Sequence, residues 1–360
     1  MGPVCPTLNP PLVTILSELH WKSYHLLSML NDVTNPYSFA EDEVPISNLN
    51  NISKLLERLF LSRFQSHVCV SDSFSSVQSA YRCHYSPETA LLQIMDSVFR
   101  SSNQGQPSLL VSLDMSAAFD TTDHSTLLNR LSVGFGVSGS VLTWFKSYLT
   151  DRYQWVRVGQ ASSSHTLCHT GVPQGSGLGP ILFSCYISPI SFIANTFGVD
   201  IQQYQYADDT QFYVSLTPTD MQAWQSLLSD CLSALHSWFC HKGLALNSTK
   251  SESILIGTRQ RLRTLPPIAS PMIADTPIPF SDTIKTLEVT LDQNLTLNKH
   301  VSLLSRSIHF YICALHHIMP ALTESMAATL GLSLGTLLPS VLWHCWLGHL
   351  TRKNRPRNDL

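Results

Sequence analysis

Charge is what this sequence has least of. Only 13% of its 360 residues are Asp, Glu, Lys or Arg, where a soluble domain carries roughly a quarter. Solubility then falls to Ser, Thr, Asn and Gln. No basic excess makes up the difference: 22 Lys and Arg stand against 25 Asp and Glu, for a net charge of −3. A basic footprint is the usual mark of tight autonomous nucleic-acid binding, so any such contact has to come from a local groove. The nine cysteines contain no Cys-x-x-Cys pair, which excludes the commonest zinc and dithiol spacings. They read as reduced thiols of an intracellular chain, in nucleus or cytoplasm. A secretory leader is not expected, because Pro3, Pro6, Pro10 and Pro11 interrupt any apolar run. One stretch, 325–350, has no charged residue at all and is long enough to span a bilayer. Gly331, Gly335, Pro339, His344, Gly348 and His349 break it, so a packed segment and no membrane span is expected.

What the chain does have is apolar residues, 44% of the total, enough for a sizeable core and two or three domains. Residues 1–44 read as irregular. Leu55, Leu56, Leu59 and Phe60 recur at helical spacing, and predict a helix over 52–64. Ser86-Pro87-Glu88 is a helix start, with Ala90, Leu91, Ile94, Met95, Val98 and Phe99 as the apolar face. Residues 108–113 form a short apolar run that predicts a buried strand delivering Asp114 at its end. Residues 127–148 look helical in two pieces, broken at Gly134 and Gly136, and 154–158 reads as a strand. The Gly-rich stretch 171–179 opens another helix. Strands over 203–206 and 210–216 flank Ala207-Asp208-Asp209 as a hairpin. Asp220 then caps a helix carrying Met221, Trp224, Leu228, Cys231, Leu235 and Trp238, with Gly243 closing it. Two further strands fit 244–250 and 253–256. Residues 258–280 hold Pro266, Pro267, Pro271, Pro277 and Pro279 and read as a linker, and 281–360 as a strand pair followed by helices. Mixed helices and strands with a hairpin predict an α+β fold, not a doubly wound sheet.

Three acidic residues are candidates for chemistry. Asp114 follows a buried strand, and Asp208 and Asp209 sit at a hairpin bend. Mg²⁺ is a hard ion that prefers carboxylate oxygens, and two such ions about 3.5–4 Å apart can assist an in-line attack on phosphorus. Carboxylates on a strand end and a hairpin could hold them. Taken separately, each has a plainer explanation: a strand-terminal Asp often caps the next helix, and Asp-Asp is ordinary turn chemistry.

The order of segments is far more specific. Val111-Ser112-Leu113-Asp114-Met115-Ser116-Ala117-Ala118-Phe119-Asp120, with Asp123-His124 behind it, resembles the first palm motif of LINE-type (non-LTR retrotransposon) reverse transcriptases. Gly171-Val172-Pro173-Gln174-Gly175-Ser176, continuing through Leu178-Gly179-Pro180, resembles their second. Tyr206-Ala207-Asp208-Asp209-Thr210 resembles the third, and residues 244–250 with Glu252 the fourth. Pro45-Ile46-Ser47-Asn48-Leu49 and Gln78-Ser79-Ala80-Tyr81-Arg82 are similar to fingers motifs. The resemblance covers about 45–300. It implies a polymerase right-hand fold, with an antiparallel palm sheet packed on helices: fingers over 45–107, palm over 108–257, a Pro-rich linker over 258–280, and a degenerate thumb-like or connection region over 281–360.

The resemblance also implies roles. Asp114 and Asp208 would be the main ligands of two Mg²⁺ ions, with Mn²⁺ able to substitute, and Asp209 a weaker third carboxylate. Phe119 would sit under the sugar and reject a 2′-hydroxyl, or else be a core aromatic. Gln174 and Gly175 would line the nucleotide pocket, with Gln174 as a turn residue the alternative. Lys250 would give a proton to pyrophosphate, and Arg82 would contact the triphosphate, where a planar fork of donors suits phosphate oxygens; either could instead be a solvated surface charge. His124 is expected to start a helix or pack, not to ligate. The implied partners are an RNA template, a DNA primer and deoxynucleoside triphosphates.

Three departures from the pattern bear on activity. Val44 replaces an Arg, Gly177 a larger residue, and Glu288 a Gly in Leu287-Glu288-Val289. If that last position needs positive φ, Glu fits it poorly. Nothing in 1–44 looks like an endonuclease, so the chain reads as a truncated element product. Two functions compete: an RNA-directed DNA polymerase, and a catalytically inactive remnant or nucleic-acid-binding module of the same fold. An RNA-dependent RNA polymerase is disfavoured by Phe119 as a sugar gate.

Overall fold

The computed structural model describes residues 32–35, 49, 51–116, 118–158, 161–173, 175–198, 201–217, 221–318 and 326. The helix start at Asp220, the side chain of Gln174 and nearly all of 325–350 lie outside them.

In chain order, β1 (Asp32–Asn35), within the stretch read as irregular, precedes α1 (Asn51–Cys69) and α2 (Pro87–Asn103). After β2 (Ser108–Ser116) come α3 (His124–Asn129), one π-turn over Arg130–Gly134, and α4 (Gly139–Leu149). The strands β3 (Tyr153–Val158), β4 (Ala161–Ser162) and β5 (Thr166–Leu167) lead to α5 (Gly179–Ile187) and α6 (Pro189–Asn195). A hairpin follows, β6 (Ile201–Tyr206) and β7 (Asp209–Ser215), then α7 (Met221–His241), β8 (Ala245–Ile256) and α8 (Arg259–Thr264). Two short strand pairs, β9 (Met272–Ile273) with β10 (Thr276–Pro277) and β11 (Thr283–Thr286) with β12 (Val289–Asp292), precede α9 (Asn298–Ile318).

The centre is an antiparallel sheet in the order β6-β7-β2-β8. Residues directly opposite each other share a face, so its two faces follow from the register. Leu109, Val111 and Leu113 of β2, with Phe212 and Val214 of β7, enter the larger core, which α1, α4, α5 and α7 complete. Leu110, Tyr213 and Ile254 face the other way, onto Leu91, Ile94, Met95 and Val98 of α2 and onto the β11–β12 pair. Because β2 is covered on both sides, its sequence is a continuous apolar run and does not alternate. It is longer than the expected strand, so Asp114 lies within β2 and not at its end.

α2 starts as read, on a capping box in which Ser86 and Thr89 satisfy each other's backbone N–H. α1 forms as expected but is rotated. Its buried residues are Ser53, Glu57, Phe60, Phe64 and Val68, while Leu55 and Leu59 are 59% and 61% exposed. Phe60 explains the choice: it stacks on Trp144 at 4.2 Å and meets Phe145 edge-on at 5.0 Å, and large aromatic pairs outweigh a leucine stripe. The two strands expected over 244–256 are one bulged strand. The stretch 258–280 is no linker: it holds α8 and the β9–β10 pair, with Ile273 and Ile278 buried in the larger core. Pro266, Pro267, Pro271 and Pro279 lie outside helix and strand and Pro277 in a two-residue edge pairing, where a missing N–H costs little. Among the described residues no helix is long and apolar enough to cross a membrane.

Leu287 and Glu288 link β11 to β12 with φ of 46° and 66°. Positive φ at both central residues defines a type I′ turn, which favours Gly and Asn. Glu288 is therefore strained, and its exposed ion pair with Lys285, at 2.7 Å, returns little. Glu288→Gly should stabilise the chain by about 1 kcal/mol, the left-handed penalty for one L-residue. Urea unfolding would show a raised midpoint at unchanged slope; no gain, or an equal gain from Glu288→Ala, would mean the turn is not strained.

Candidate functional site

The β2–β7 register brings the three aspartates together. Its last bonded pair is Leu113 with Thr210, so the next step along both strands sets Asp114 beside Asp209. Tyr206 pairs with Asp209 across a two-residue bend, Ala207-Asp208. Electrostatics agrees with this placement. The Asp208 carboxyl is held above its ordinary range by burial and then by the Asp114 charge. Asp209 is pushed up to about 6, first by burial and then by the charges of Asp208, Asp114 and Glu288, with Lys285 opposing. Among the described residues no three His, Cys, Asp or Glu side chains grip a common point closely enough to form a ready-made metal cage. What links the aspartates is charge: the Asp114 carboxylate acts on both Asp208 and Asp209.

Several groups position this cluster. Where β2 meets β8, the register shifts between Ser112 and Asp114. The Asp114 N–H there donates to the Ser251 hydroxyl at 3.1 Å, which donates in turn to the Asn247 carbonyl at 2.7 Å. Asn247 Oδ1 accepts from the Thr249 and Lys250 N–H groups at 3.1 and 3.2 Å. Lys250 thus rides an exposed bulge stitched to the Asp114 backbone.

The Gly-rich loop is held from two sides. His124 Nε2–H donates to the Gly171 carbonyl at 2.7 Å, an assignment fixed because a carbonyl can only accept. Burial lowers the imidazole pKa; it is a structural histidine, as its sequence context suggested. On the far side Glu57, 1% exposed, accepts from the Gly177 N–H at 2.6 Å and from the Ser176 and Tyr148 hydroxyls, each at 3.0 Å. Ser176 Oγ also accepts from the Leu178 and Gly179 N–H groups at the start of α5. Gly175, at φ +90°, lies between these anchors. Sequence reasoning missed Glu57, although a signal was there: at helical spacing it interrupts the line that runs on through Phe60, Phe64 and Val68.

Phe119 stacks on Phe183 of α5 at 4.7 Å and keeps part of its ring exposed. Its carbonyl accepts from the Val172 N–H at 2.8 Å, so the Asp114 segment and the Gly-rich loop are sewn together at this residue. Arg82 lies over the Phe74 and Tyr85 rings at 5.6 and 5.2 Å, and its Nη1 donates to the Ser76 and Gln78 carbonyls. It braces its own loop.

The raised Asp209 carboxyl has a consequence for stability. Its folded pKa of about 6 exceeds the ordinary 3.8, so the folded state binds the extra proton and stability falls as pH rises from 3.8 toward 6. Asp209→Asn should therefore raise the melting temperature of the metal-free chain at pH 7, and the gain should vanish near pH 4. An equal gain at both pH values would exclude the charge as its cause.

Residues 42–293 match the family described as reverse transcriptase (RNA-dependent DNA polymerase). The chain is similar to the probable RNA-directed DNA polymerase from transposon BS of Drosophila melanogaster, 28% identical over 294 residues, which is 79% of this chain and 31% of that protein. It is 26% identical over 285 residues to the RNA-directed DNA polymerase from mobile element jockey of the same organism, covering 78% of this chain and 30% of that one. It spans about three tenths of the length of these relatives. The structure of apo telomerase from Candida Tropicalis, truncated from its C-terminal domain, superposes with a TM-score of 0.49 at 12% identity, over 75% of this chain and 55% of that one. The family match runs from before α1 through the central sheet to the β11–β12 pair, and on it the chain belongs to the reverse transcriptase family.

Proposed function

We propose that this chain is the fingers-and-palm part of an RNA-directed DNA polymerase of a non-LTR retrotransposon. It would extend a DNA primer on an RNA template with deoxynucleoside triphosphates. The observation that carries this reading is the convergence of Asp114, Asp208 and Asp209, on segments far apart in sequence, into one electrostatically coupled group.

The donor set suits two Mg²⁺ ions, or Mn²⁺ in their place. Mg²⁺ keeps several waters and binds through one or two carboxylates plus substrate phosphates, not through an all-protein cage. When bound, the ions would activate the primer 3′-hydroxyl and stabilise the leaving oxygen. The protein does the rest. Asp114 and Asp208 supply the main carboxylates, and Asp209 the third. Phe119, propped on Phe183, closes the space a 2′-hydroxyl would need. Gln174 and the Gly175 backbone line the nucleotide pocket, on a loop that Glu57 and His124 hold at either end. Lys250 donates a proton to the departing pyrophosphate. Arg82 reaches the triphosphate from the loop it braces.

One observation favours the competing reading, a binding module without catalysis. Glu288 adds a fourth negative charge next to Asp209 in a turn whose backbone suits Gly. The two readings separate in primer extension on an RNA template with Mg²⁺. Incorporation by the parent chain, abolished by Asp208→Ala, is the expected result. Activity that survives the substitution would sink the site assignment, and an inactive parent would favour the binding module. In the same assay Phe119→Val should raise ribonucleotide use about tenfold or more, since a bulky clash can supply at least 1.4 kcal/mol of discrimination. An unchanged sugar preference would remove Phe119 from the gate.

A further inference from the structure

The bend that carries Asp208 is held by a residue far away in the chain. Gln78 is 1% exposed and turns both ends of its amide to this bend. Its Nε2 donates to the Ala207 carbonyl at 3.0 Å, and its Oε1 accepts from the Ala207 N–H at 2.9 Å and from the Ala80 N–H at 3.0 Å. The side chain acts as an extra strand neighbour for one residue. Its orientation is dictated by chemistry, since only Oε1 can accept from two N–H groups. The Gln78 backbone is held as well, through its bridge to Gln205 of β6 and through Arg82 Nη1 donating to its carbonyl at 3.3 Å.

Ala207 needs such support. It is buried, with φ at +56°, in the first position of a two-residue bend where Gly is ordinary. An L-residue there is strained, and such strain persists only where the surroundings over-determine it. The next residue is Asp208, whose carboxyl feels Asp114.

We propose that Gln78 is a positioning residue for the acidic hairpin: by clamping both backbone polar groups of Ala207 it sets where the Asp208 and Asp209 carboxyls stand relative to Asp114. This role rests on reading the aspartates as a cation site. Arg82, Gln78, Ala207 and Asp208 then form one mechanical chain from the fingers loop to the palm.

The test is Mn²⁺ titration of the full chain followed by electron paramagnetic resonance, together with hydrogen exchange at the Ala207 amide and thermal melting. Gln78→Ala should unprotect the Ala207 N–H and weaken Mn²⁺ binding about tenfold or more, as loss of an outer-shell partner does. Gln78→Met keeps the length of the side chain and loses both hydrogen-bonding groups, so it should match Gln78→Ala in amide protection and Mn²⁺ affinity while leaving a smaller void. A purely structural residue would lower the melting temperature and leave the Mn²⁺ affinity of the folded chain unmoved, and that result overturns the proposal. So does parent-like amide protection in Gln78→Ala. A parent chain that binds no Mn²⁺ overturns the cation reading itself, and the positioning role with it; affinity kept in Gln78→Ala overturns the positioning role alone.

Discussion

Everything at this site depends on the antiparallel pairing of β2 with β7. Six bonded positions, from Ser108 with Ser215 to Leu113 with Thr210, carry two distant segments forward until Asp114 and the Asp208-Asp209 bend meet. A slip of one residue would send every side chain of a strand to the opposite face. Leu109, Val111 and Leu113 would then leave the larger core, and Leu110 the smaller one. Burial on both faces makes that slip expensive, so the hydrophobic packing of the sheet also fixes the spacing of its acids.

The cost of that convergence is visible in the titration behaviour. Burial and the neighbouring Asp114 charge hold Asp208 up, and burial with the Asp208, Asp114 and Glu288 charges holds Asp209 up, with Lys285 opposing at Asp209. Left alone, such groups would move apart or protonate. The surrounding structure resists by holding backbone: Ser251 at Asp114, Gln78 at Ala207, Glu57 and His124 around the Gly-rich loop. None of these four needs to touch a nucleotide to matter. Glu57 shows how far the fold goes to keep such an anchor: a buried carboxylate is tolerated because three donors satisfy it.

Much of this was legible beforehand. The apolar run of β2, the bend at Ala207-Asp208, the Ser86 cap and the broken helix around Gly134 all follow from local pattern and turn chemistry. Other features were not. The α1 face was misread because three leucines outnumber one Phe in a periodicity count, whereas the packing is decided by aromatic partners supplied from α4. The prolines of 258–280 suggested a linker, because sequence shows the missing N–H groups but not the core into which Ile273 and Ile278 fold. Gln78 stood inside a motif without a role, since its partner Ala207 lies in a hairpin bend more than a hundred residues further on.

By itself the sequence determined which residue types were available and in what order: three acids in palm-like motifs, a Gly-rich loop between them, a Phe after the first, and a charge balance with no basic excess. These are local or sequential properties, readable from spacing and side-chain chemistry. Tertiary structure decided the rest, because hydrogen bonds between residues more than a hundred positions apart leave no periodic trace. It was the fold that coupled the Asp209 carboxyl to three other acids, set Glu288 in a left-handed turn, and brought a buried glutamine from the loop before α2 to the backbone beside Asp208.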